Sequence, residues 1–183
     1  FSFNSDAPLV MTFSKEGSHT GFTARDIVNL WEESSIADII FYYSDERRAR
    51  KIAKAIVDAR NKKPIETSKE LASIIEGVSP RRGRTHPATK TFQALRIAVN
   101  DELKVIEEAL TNWLELLSLN GRIAVITFHS LEDRIVKHWM IHRFKDKKDI
   151  RVITKKPIVP TKLELQINPR ARIAKLRVIE KIL

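Results

Sequence analysis

The stretch Gly121–Lys137, which reads GRIAVITFHSLEDRIVK, decides the fold of this chain. Its run Ile123–Ile126 shows no polar alternation, which is typical of a strand buried on both faces in a parallel sheet. Ser130, with Asp133 three residues later, predicts a helix N-cap and its reciprocal acid. The pattern is therefore strand, tight turn and helix. Because open α/β sheets bind ligands outside the carboxyl ends of their strands, His129 and Ser130 are candidate site residues.

Charge is the strongest signal in the composition. The 183 residues include 33 Lys and Arg against 23 Asp and Glu, which gives a net charge of +10. This excess favours a polyanionic partner, nucleic acid first and an anionic membrane surface second, and a merely basic soluble protein is the alternative. The length suits one domain, or one domain with an insertion. The chain has no cysteine, which excludes disulfides, thiolate metal sites and a cysteine nucleophile within it.

The beginning of the chain indicates a fragment. It starts at Phe1 instead of Met, and its five glycines are scattered, so it offers no glycine-rich loop for a nucleotide. If the fold is of the nucleotide-binding α/β type, we expect its first βαβ unit to be missing. No apolar run approaches the ~18 residues of a membrane helix, and no signal-peptide pattern opens the chain. A cytoplasmic location is therefore expected.

Four short helices and no strand are predicted between Phe22 and Val78, which indicates a small helical subdomain. Capping-box patterns occur at three places: Thr23–Asp26, Ser35–Asp38 and Thr67–Glu70. Ser44 is predicted to cap the third helix, Asp45–Lys63. One face of that helix is apolar and the other is strongly basic, with Arg47, Arg48, Arg50, Lys51 and Lys54. A solvated face and an RNA-facing surface explain these cations equally well.

The segment Ser79–His86 reads SPRRGRTH and is predicted to be a basic loop. The planar guanidinium groups of its three arginines suit phosphate contacts, and an exposed linker is the alternative. Pro87 can occupy the first turn of a long helix that continues to Leu117, with a kink at Asn100-Asp101. The first half of that helix carries many hydrogen-bonding side chains, Arg96 and Asn100 among them. They either form a functional face or tie the helix to neighbouring loops.

The end of the chain is predicted to form an antiparallel sheet edge. Ile150–Thr154 and Ala174–Val178 are predicted strands, and Lys155–Ile167, with two prolines, is predicted to be loop. Asn168–Arg172 is a polar, basic turn. A Ser–His–Asp triad at the central turn is rejected because adjacent residues leaving a strand point apart and the G-x-S-x-G context is absent. The five histidines form no convincing ligand cluster, so no metal is expected.

A family resemblance explains these features together. The segment His86–Leu103, HPATKTFQALRIAVNDEL, resembles the signature of the RsmH (MraW) family of 16S ribosomal RNA cytosine-N4 methyltransferases, which use S-adenosylmethionine. Three other blocks agree in order: Phe1-Ser-Phe3 with Pro8-Leu9, then Phe128–Arg134, then Asn168–Arg172 with Lys175–Arg177. The resemblance covers essentially the whole chain. One departure is Pro8–Phe13, PLVMTF, where the family usually has PLDMRM, so Val10 and Thr12 stand in place of the family's acid and base.

The resemblance implies an α/β fold of the class I methyltransferase type, a Rossmann-like, doubly wound sheet that is only partial here and carries a helical insertion. It implies three parts: 1–20, the tail of the truncated catalytic domain; 21–85, a helical substrate-recognition subdomain; and 86–183, the carboxyl-terminal part of the methyltransferase domain. The family's S-adenosylmethionine site lies in the amino-terminal part, upstream of Phe1. No cofactor residue is therefore expected in this chain.

The implied reaction is methylation of the exocyclic N4 of a cytidine in 16S rRNA or the small ribosomal subunit, without a required metal. It needs no covalent nucleophile, but it needs acceptors that orient the amine of an unstacked base. Candidate catalytic residues are Asn100, His129 and Asn168. Candidate RNA-binding residues are Arg81, Arg82, Arg84, His86, Arg96, Ser130, Arg170 and Arg172. The alternative is a non-catalytic, basic RNA-binding module, and the isolated fragment is expected to be inactive.

Overall fold

A computed structural model describes residues 6–14, 21–80 and 85–183. The chain divides into two compact units, a helical unit that ends at Glu102 and a carboxyl-terminal unit that spans Leu103–Leu183. The helical unit thus includes residues 86–102, which the sequence analysis assigned to the carboxyl-terminal part. The three-part division itself stays a prediction. No helix in the described ranges combines the length and the apolar composition that crossing a bilayer requires.

The helical unit contains the four short helices predicted between Phe22 and Val78. Its helices are α1 (Ala24–Leu30), α2 (Glu33–Ser44), α3 (Ala49–Arg60), α4 (Ser68–Val78) and α5 (Thr89–Asn100). The capping boxes at Thr23 and Thr67 are confirmed, because each hydroxyl accepts from the backbone N–H three residues later. The core is built from buried faces of these helices, and the predicted apolar face of α3 lies in it.

Two predicted helix starts are wrong. The Ser35–Asp38 box does not form, because α2 begins at Glu33 after its N-cap Glu32, three residues earlier than the pattern suggests. Ser44 does not cap the next helix: it is the last residue of α2, and its buried hydroxyl donates to the carbonyl of Ile40 at 2.6 Å. The predicted kink after α5 is confirmed, since Asp101 has a left-handed φ of 52° before α6 (Glu102–Leu116) begins.

The carboxyl-terminal unit is a small sheet with helices. Its strands are β1 (Arg122–Thr127), β2 (Ile150–Val152) and β3 (Lys175–Lys181), and its helices after α6 are α7 (Ser130–His142) and α8 (Lys162–Ile167). The strand order is β1-β3-β2 with antiparallel pairing throughout, which confirms the antiparallel edge formed by β2 and β3. Part of the predicted loop 155–167 is instead α8.

Strand β1 differs from its prediction. Within the described residues it lies at one edge of the sheet and pairs only with β3, and Ile126 is 59% exposed. An apolar run that suggests burial on both faces therefore has one strand partner here, and only the face of Ile123 and Thr127 is buried, whereas the face of Ala124 and Ile126 is exposed. The core of this unit is a short cluster between the sheet, α6 and α7: Leu110, Leu114, Ile123, Val136, Met140, Ile150 and Ile179.

Candidate functional site

The turn that follows β1 is fixed by a capping box centred on His129. Its imidazole Nδ1 accepts from the backbone N–H of Glu132 at 3.3 Å. The Glu132 carboxylate in turn accepts from the N–H groups of Phe128 and His129 at 2.7 and 3.3 Å. The predicted cap, Ser130 with Asp133, is therefore wrong by one residue. The reason is that His129 leaves the strand with extended backbone, the N-cap conformation, whereas Ser130 is already the first helical residue.

The His129 side chain is held in this cap and is only 13% exposed. Because Nδ1 accepts, the geometry assigns the ring proton to Nε2 in the neutral form. Nε2 lies 3.0 Å from Glu132 Oε1, although the alignment is not that of a hydrogen bond. Burial alone would raise the pKa of Glu132, but His129 and the backbone donors outweigh it and lower that pKa. Of the two candidate residues of the turn, His129 is thus held by the cap, whereas Ser130 is exposed.

Asp133 joins the start of α7 to β3. It accepts from Arg177 Nε at 2.7 Å and from Lys175 Nζ at 3.0 Å, and Asp133 and Arg177 are both buried. Burial raises the pKa of Asp133, but the hydrogen bonds from Arg177 and Lys175 prevail and hold it below its ordinary value. Two of the sequence blocks that resemble the family, Phe128–Arg134 and Lys175–Arg177, are therefore in direct contact.

The sheet register brings the basic turn 168–172 to the same end of this unit. Thr127, the last residue of β1, pairs with Lys175, the first of β3, and the short helical turn Pro169–Ile173 ends two residues before Lys175. The carboxyl end of β1 and the basic turn are therefore neighbours. Five side chains at this end are exposed: Phe128, Ser130, Asn168, Arg170 and Arg172. We call them the sheet-end site.

The sheet-end site combines three kinds of groups. Phe128, 49% exposed, offers an aromatic face. Ser130 and Asn168 offer hydroxyl and amide oxygens that can accept from an amine, and Asn168 lies at the carboxyl end of α8. Arg170 and Arg172 form no ion pair with any residue that the structure describes. Such groups can stack on an aromatic ring, orient an amine and bind phosphate, but they include no nucleophile paired with a base.

The predicted residues of the helical unit have structural partners. The Asn100 amide donates to the carbonyls of Met11 and Arg96 and accepts from the N–H of Phe13, each at 2.8 Å. Arg96 makes a bidentate salt bridge with Glu102: its Nε and Nη2 donate to the two carboxylate oxygens at 2.6 and 2.9 Å. His86 Nδ1 accepts from the N–H of Ala88, and its Nε2 lies 2.9 Å from Glu76. Arg81, Arg82 and Arg84 lie outside the described residues.

Three residues that organise the sheet-end site were missed in the sequence: Glu132 as the acid of the cap, and Lys175 and Arg177 as partners of Asp133. Glu132 had a local signal, since His129 precedes it at the capping-box spacing. The Asp133 contacts had none, because they join residues 42 and 44 positions apart.

Comparisons with known proteins identify the family of the chain. Residues 1–182 match the MraW methylase family. A protein from Persephonella marina named "Ribosomal RNA small subunit methyltransferase H" is 51% identical over all of this chain and 62% of its own length. Proteins of the same name from Brevibacillus brevis and Sulfurihydrogenibium sp. are 46% and 53% identical, over 62% and 55% of their lengths.

The chain thus spans about 62% of the length of the first two of these relatives. The predicted family and fold class are confirmed: the described sheet and helices are part of an α/β fold of the class I methyltransferase type with a helical subdomain. By its match over nearly every residue, this chain belongs to the MraW methylase family.

Proposed function

We propose that the intact protein methylates the exocyclic N4 of a cytidine in small-subunit (16S) ribosomal RNA with S-adenosylmethionine, and that this chain supplies RNA-facing parts of the enzyme. The observation that carries the proposal is the family match over residues 1–182. The relatives' name, ribosomal RNA small subunit methyltransferase H, supports the substrate. The net charge of +10 suits a polyanion.

The described residues do not fit the methyl donor. A nucleotide-type cofactor needs a turn between strand and helix that its backbone can approach closely, which glycines permit. The tight turn after β1 instead carries Phe128 and His129, and Gly77 lies inside α4. We therefore assign no residue of this chain to S-adenosylmethionine, which would supply an electrophilic methyl group, and derive no step through it.

The residues of the sheet-end site suit the positioning of a flipped cytosine. The amine lone pair is delocalised into the ring, so the base must be held firmly in one orientation. Phe128 can stack on the base, and Ser130 Oγ and Asn168 Oδ1 can each accept one N–H of the amine. Arg170 and Arg172 can bind the flanking phosphates. Of the three proposed catalytic residues, Asn168 is thus the best exposed for this role.

The other candidates have different roles in this proposal. His129 would orient the turn through its cap, and Asn100 would hold the segment Met11–Phe13. Arg96 and His86 are proposed to bind RNA only if they exchange their carboxylate partners for phosphates. The arginines of the loop 81–84 stay candidates for phosphate contacts on the sequence alone.

Kinetics on the intact protein test this assignment, with purified small-subunit rRNA or small subunits and a labelled methyl donor. Asn168→Ala is expected to lower kcat about 10²-fold, the usual size for a positioned polar group in a transition state. Arg170→Gln with Arg172→Gln is expected to raise KM and leave kcat close to wild type. The matched control, Lys137→Gln on the exposed surface of α7, should change neither. Methylation of another atom than cytidine N4 would overturn the proposal.

Calorimetry addresses the alternative that the chain as it stands is a non-catalytic RNA-binding module. The 183-residue chain is expected to bind small-subunit rRNA and to give no heat with S-adenosylmethionine. Binding of the methyl donor by this chain alone would contradict both the module interpretation and our assignment of no cofactor residue to it.

A further inference from the structure

We infer that a groove between α2 and α3 binds an unpaired nucleotide of the RNA substrate, with its base on Tyr42 and its phosphates at Arg47 and Arg50. The inference rests on the proposed function and adds a second RNA contact, within the helical unit. The groove has a volume of about 500 Å³. That volume lies within the roughly 300–1,000 Å³ of small-ligand pockets.

The aromatic part of the groove is formed by Phe41 and Tyr42. These rings are 49% and 64% exposed, and their centroids lie 5.3 Å apart in an edge-on arrangement with an interplanar angle of 76°. The buried face of α2 consists of other residues, so the core does not account for these two rings. Two neighbouring aromatic side chains in water give a base a surface on which to stack.

The cationic part of the groove lies at the start of α3. Arg47, Arg50 and Lys51 are exposed, and none has an ion-pair partner among the described residues. Asp38 is the one acidic residue among those that line the groove. The first turn of α3 also has no side-chain cap, because its N-cap residue, Arg48, makes no such hydrogen bond. Glu46 binds the N–H of Arg48 through its carboxylate and the N–H of Ala49 through its carbonyl, so the cationic part of the groove depends on its side chains, to which the helix dipole adds.

Lys54, on the same helix, differs from the groove cations because it has an acidic neighbour. Its ammonium is 3.9 Å from Asp58, and it does not line the groove. The basic face of α3 is therefore not uniform: part of it is paired, and the part next to exposed aromatic rings is not. Guanidinium groups beside an aromatic platform match a single-stranded polynucleotide better than a lipid surface, because such strands present alternating phosphates and π-faces. Stacking tolerates any base, so we expect little sequence preference.

Fluorescence anisotropy with a labelled, unstructured oligouridylate tests the inference on the intact protein. Tyr42→Ala is expected to weaken binding about tenfold, as loss of one stacked base does, with an unchanged salt dependence. Tyr42→Phe keeps the ring and should bind like wild type. Arg50→Gln should weaken binding several-fold and reduce the slope of log affinity against log salt by about 0.7, the value for one phosphate on a single strand. Lys54→Gln, which removes the same charge outside the groove, should leave the affinity within about twofold of wild type, as expected for a paired surface charge.

The outcomes separate this inference from the proposed function. If wild type fails to bind the oligouridylate, or if Tyr42→Ala binds it as tightly as wild type, the nucleotide groove is refuted. In either case continued N4 methylation of rRNA would leave the proposed function intact, and the exposed rings would be assigned to a protein partner. If wild type transfers no methyl group to rRNA but Tyr42→Ala shows the expected loss, the proposed function fails and the groove stands. Circular dichroism must show that each variant is folded.

Discussion

The two units of the chain differ in how fully they bury their apolar residues. In the helical unit, five helices share one continuous core, in which residues such as Ile40, Ile56 and Leu71 are fully buried. In the carboxyl-terminal unit the core is smaller, and Ile126 of β1 is 59% exposed. Leu116 of α6 and Ile167 of α8 are 85% and 78% exposed. The carboxyl-terminal unit therefore exposes much more apolar surface than a self-sufficient unit requires.

This difference shows where each unit obtains its stability. The helical unit obtains it from packing within the described residues. The carboxyl-terminal unit relies more on polar contacts: those of Glu180 hold β1 and β2 against β3, and those of Asp133 hold α7 against β3. An apolar edge strand with a free side is a template for another strand. In a partial sheet of the class I methyltransferase type, we expect the intact protein to cover it.

The largest expected effect comes from expressing the two units separately. Residues 1–102 should unfold cooperatively on heating, because their core is complete. Residues 103–183 should bind a hydrophobic dye such as ANS and melt without a sharp transition, since their exposed apolar surface has no cover. Calorimetry and dye fluorescence measure this. A 103–183 fragment that melts cooperatively and binds no dye would contradict this difference between the two units.

Asp133→Ala gives the next largest effect, and only in the carboxyl-terminal unit. The variant leaves the buried guanidinium of Arg177 without its partner, which should lower the free energy of unfolding by about 3–5 kcal/mol. Hydrogen exchange, followed separately for the two units, should show faster exchange in β3 and α7 and no change in α3. Asp58→Ala, which removes an exposed partner of Lys54, should cost less than about 1 kcal/mol. Equal effects of the two variants would contradict the role of Asp133.

Asn100→Ala tests a contact inside the helical unit. It removes two donated and one accepted hydrogen bond, and we expect a loss of about 1–3 kcal/mol. Exchange at Met11 and Phe13 should accelerate first, since the amide of Asn100 holds that segment. Asn112→Ala, an exposed site on α6, is the control and should be neutral. Unchanged protection of Phe13 would show that Asn100 is not its anchor.

Acid gives the smallest effect, through Glu70 at the start of α4. The backbone N–H of Glu66, the ammonium of Lys63 and the N–H of Thr67 lower the pKa of Glu70 to about 2. Because this pKa is below its unfolded value of 4.5, the stabilisation is present above pH 4.5 and is lost as the pH falls towards 2. Glu70→Gln should lower the free energy of unfolding by about 0.3–1.5 kcal/mol at neutral pH. It should also make that free energy less dependent on pH between 4.5 and 2. An unaltered titration would rule out Glu70 as a contributor.

Local patterns in the sequence predicted local structure well. The boxes at Thr23 and Thr67 form because all their partners lie within four residues. The apolar face of α3 was readable from its 3.6-residue period. The cap at the sheet-end site failed by one residue, because the point where β1 releases the chain depends on its pairing with β3. That strand begins at Lys175, far away in sequence.

The functional site is only partly predictable from the sequence, because it depends on contacts between residues that are far apart in the chain. The polar step after Ile126 indicates the turn, and the composition of 168–172 separately indicates a basic segment. Nothing local indicated that the register of β1 with β3 makes them neighbours, or that Asp133 is bound by Arg177. An apolar run such as Ile123–Ile126 also cannot distinguish a doubly buried strand from an edge strand that awaits a partner.

The central claim is tested most directly by mass spectrometry of small-subunit rRNA from cells that lack the gene for the intact protein. The account predicts that N4-methylcytidine at one position disappears, returns with the wild-type gene and stays depleted with Asn168→Ala. Persistence of the modification in the deletion strain would contradict the account.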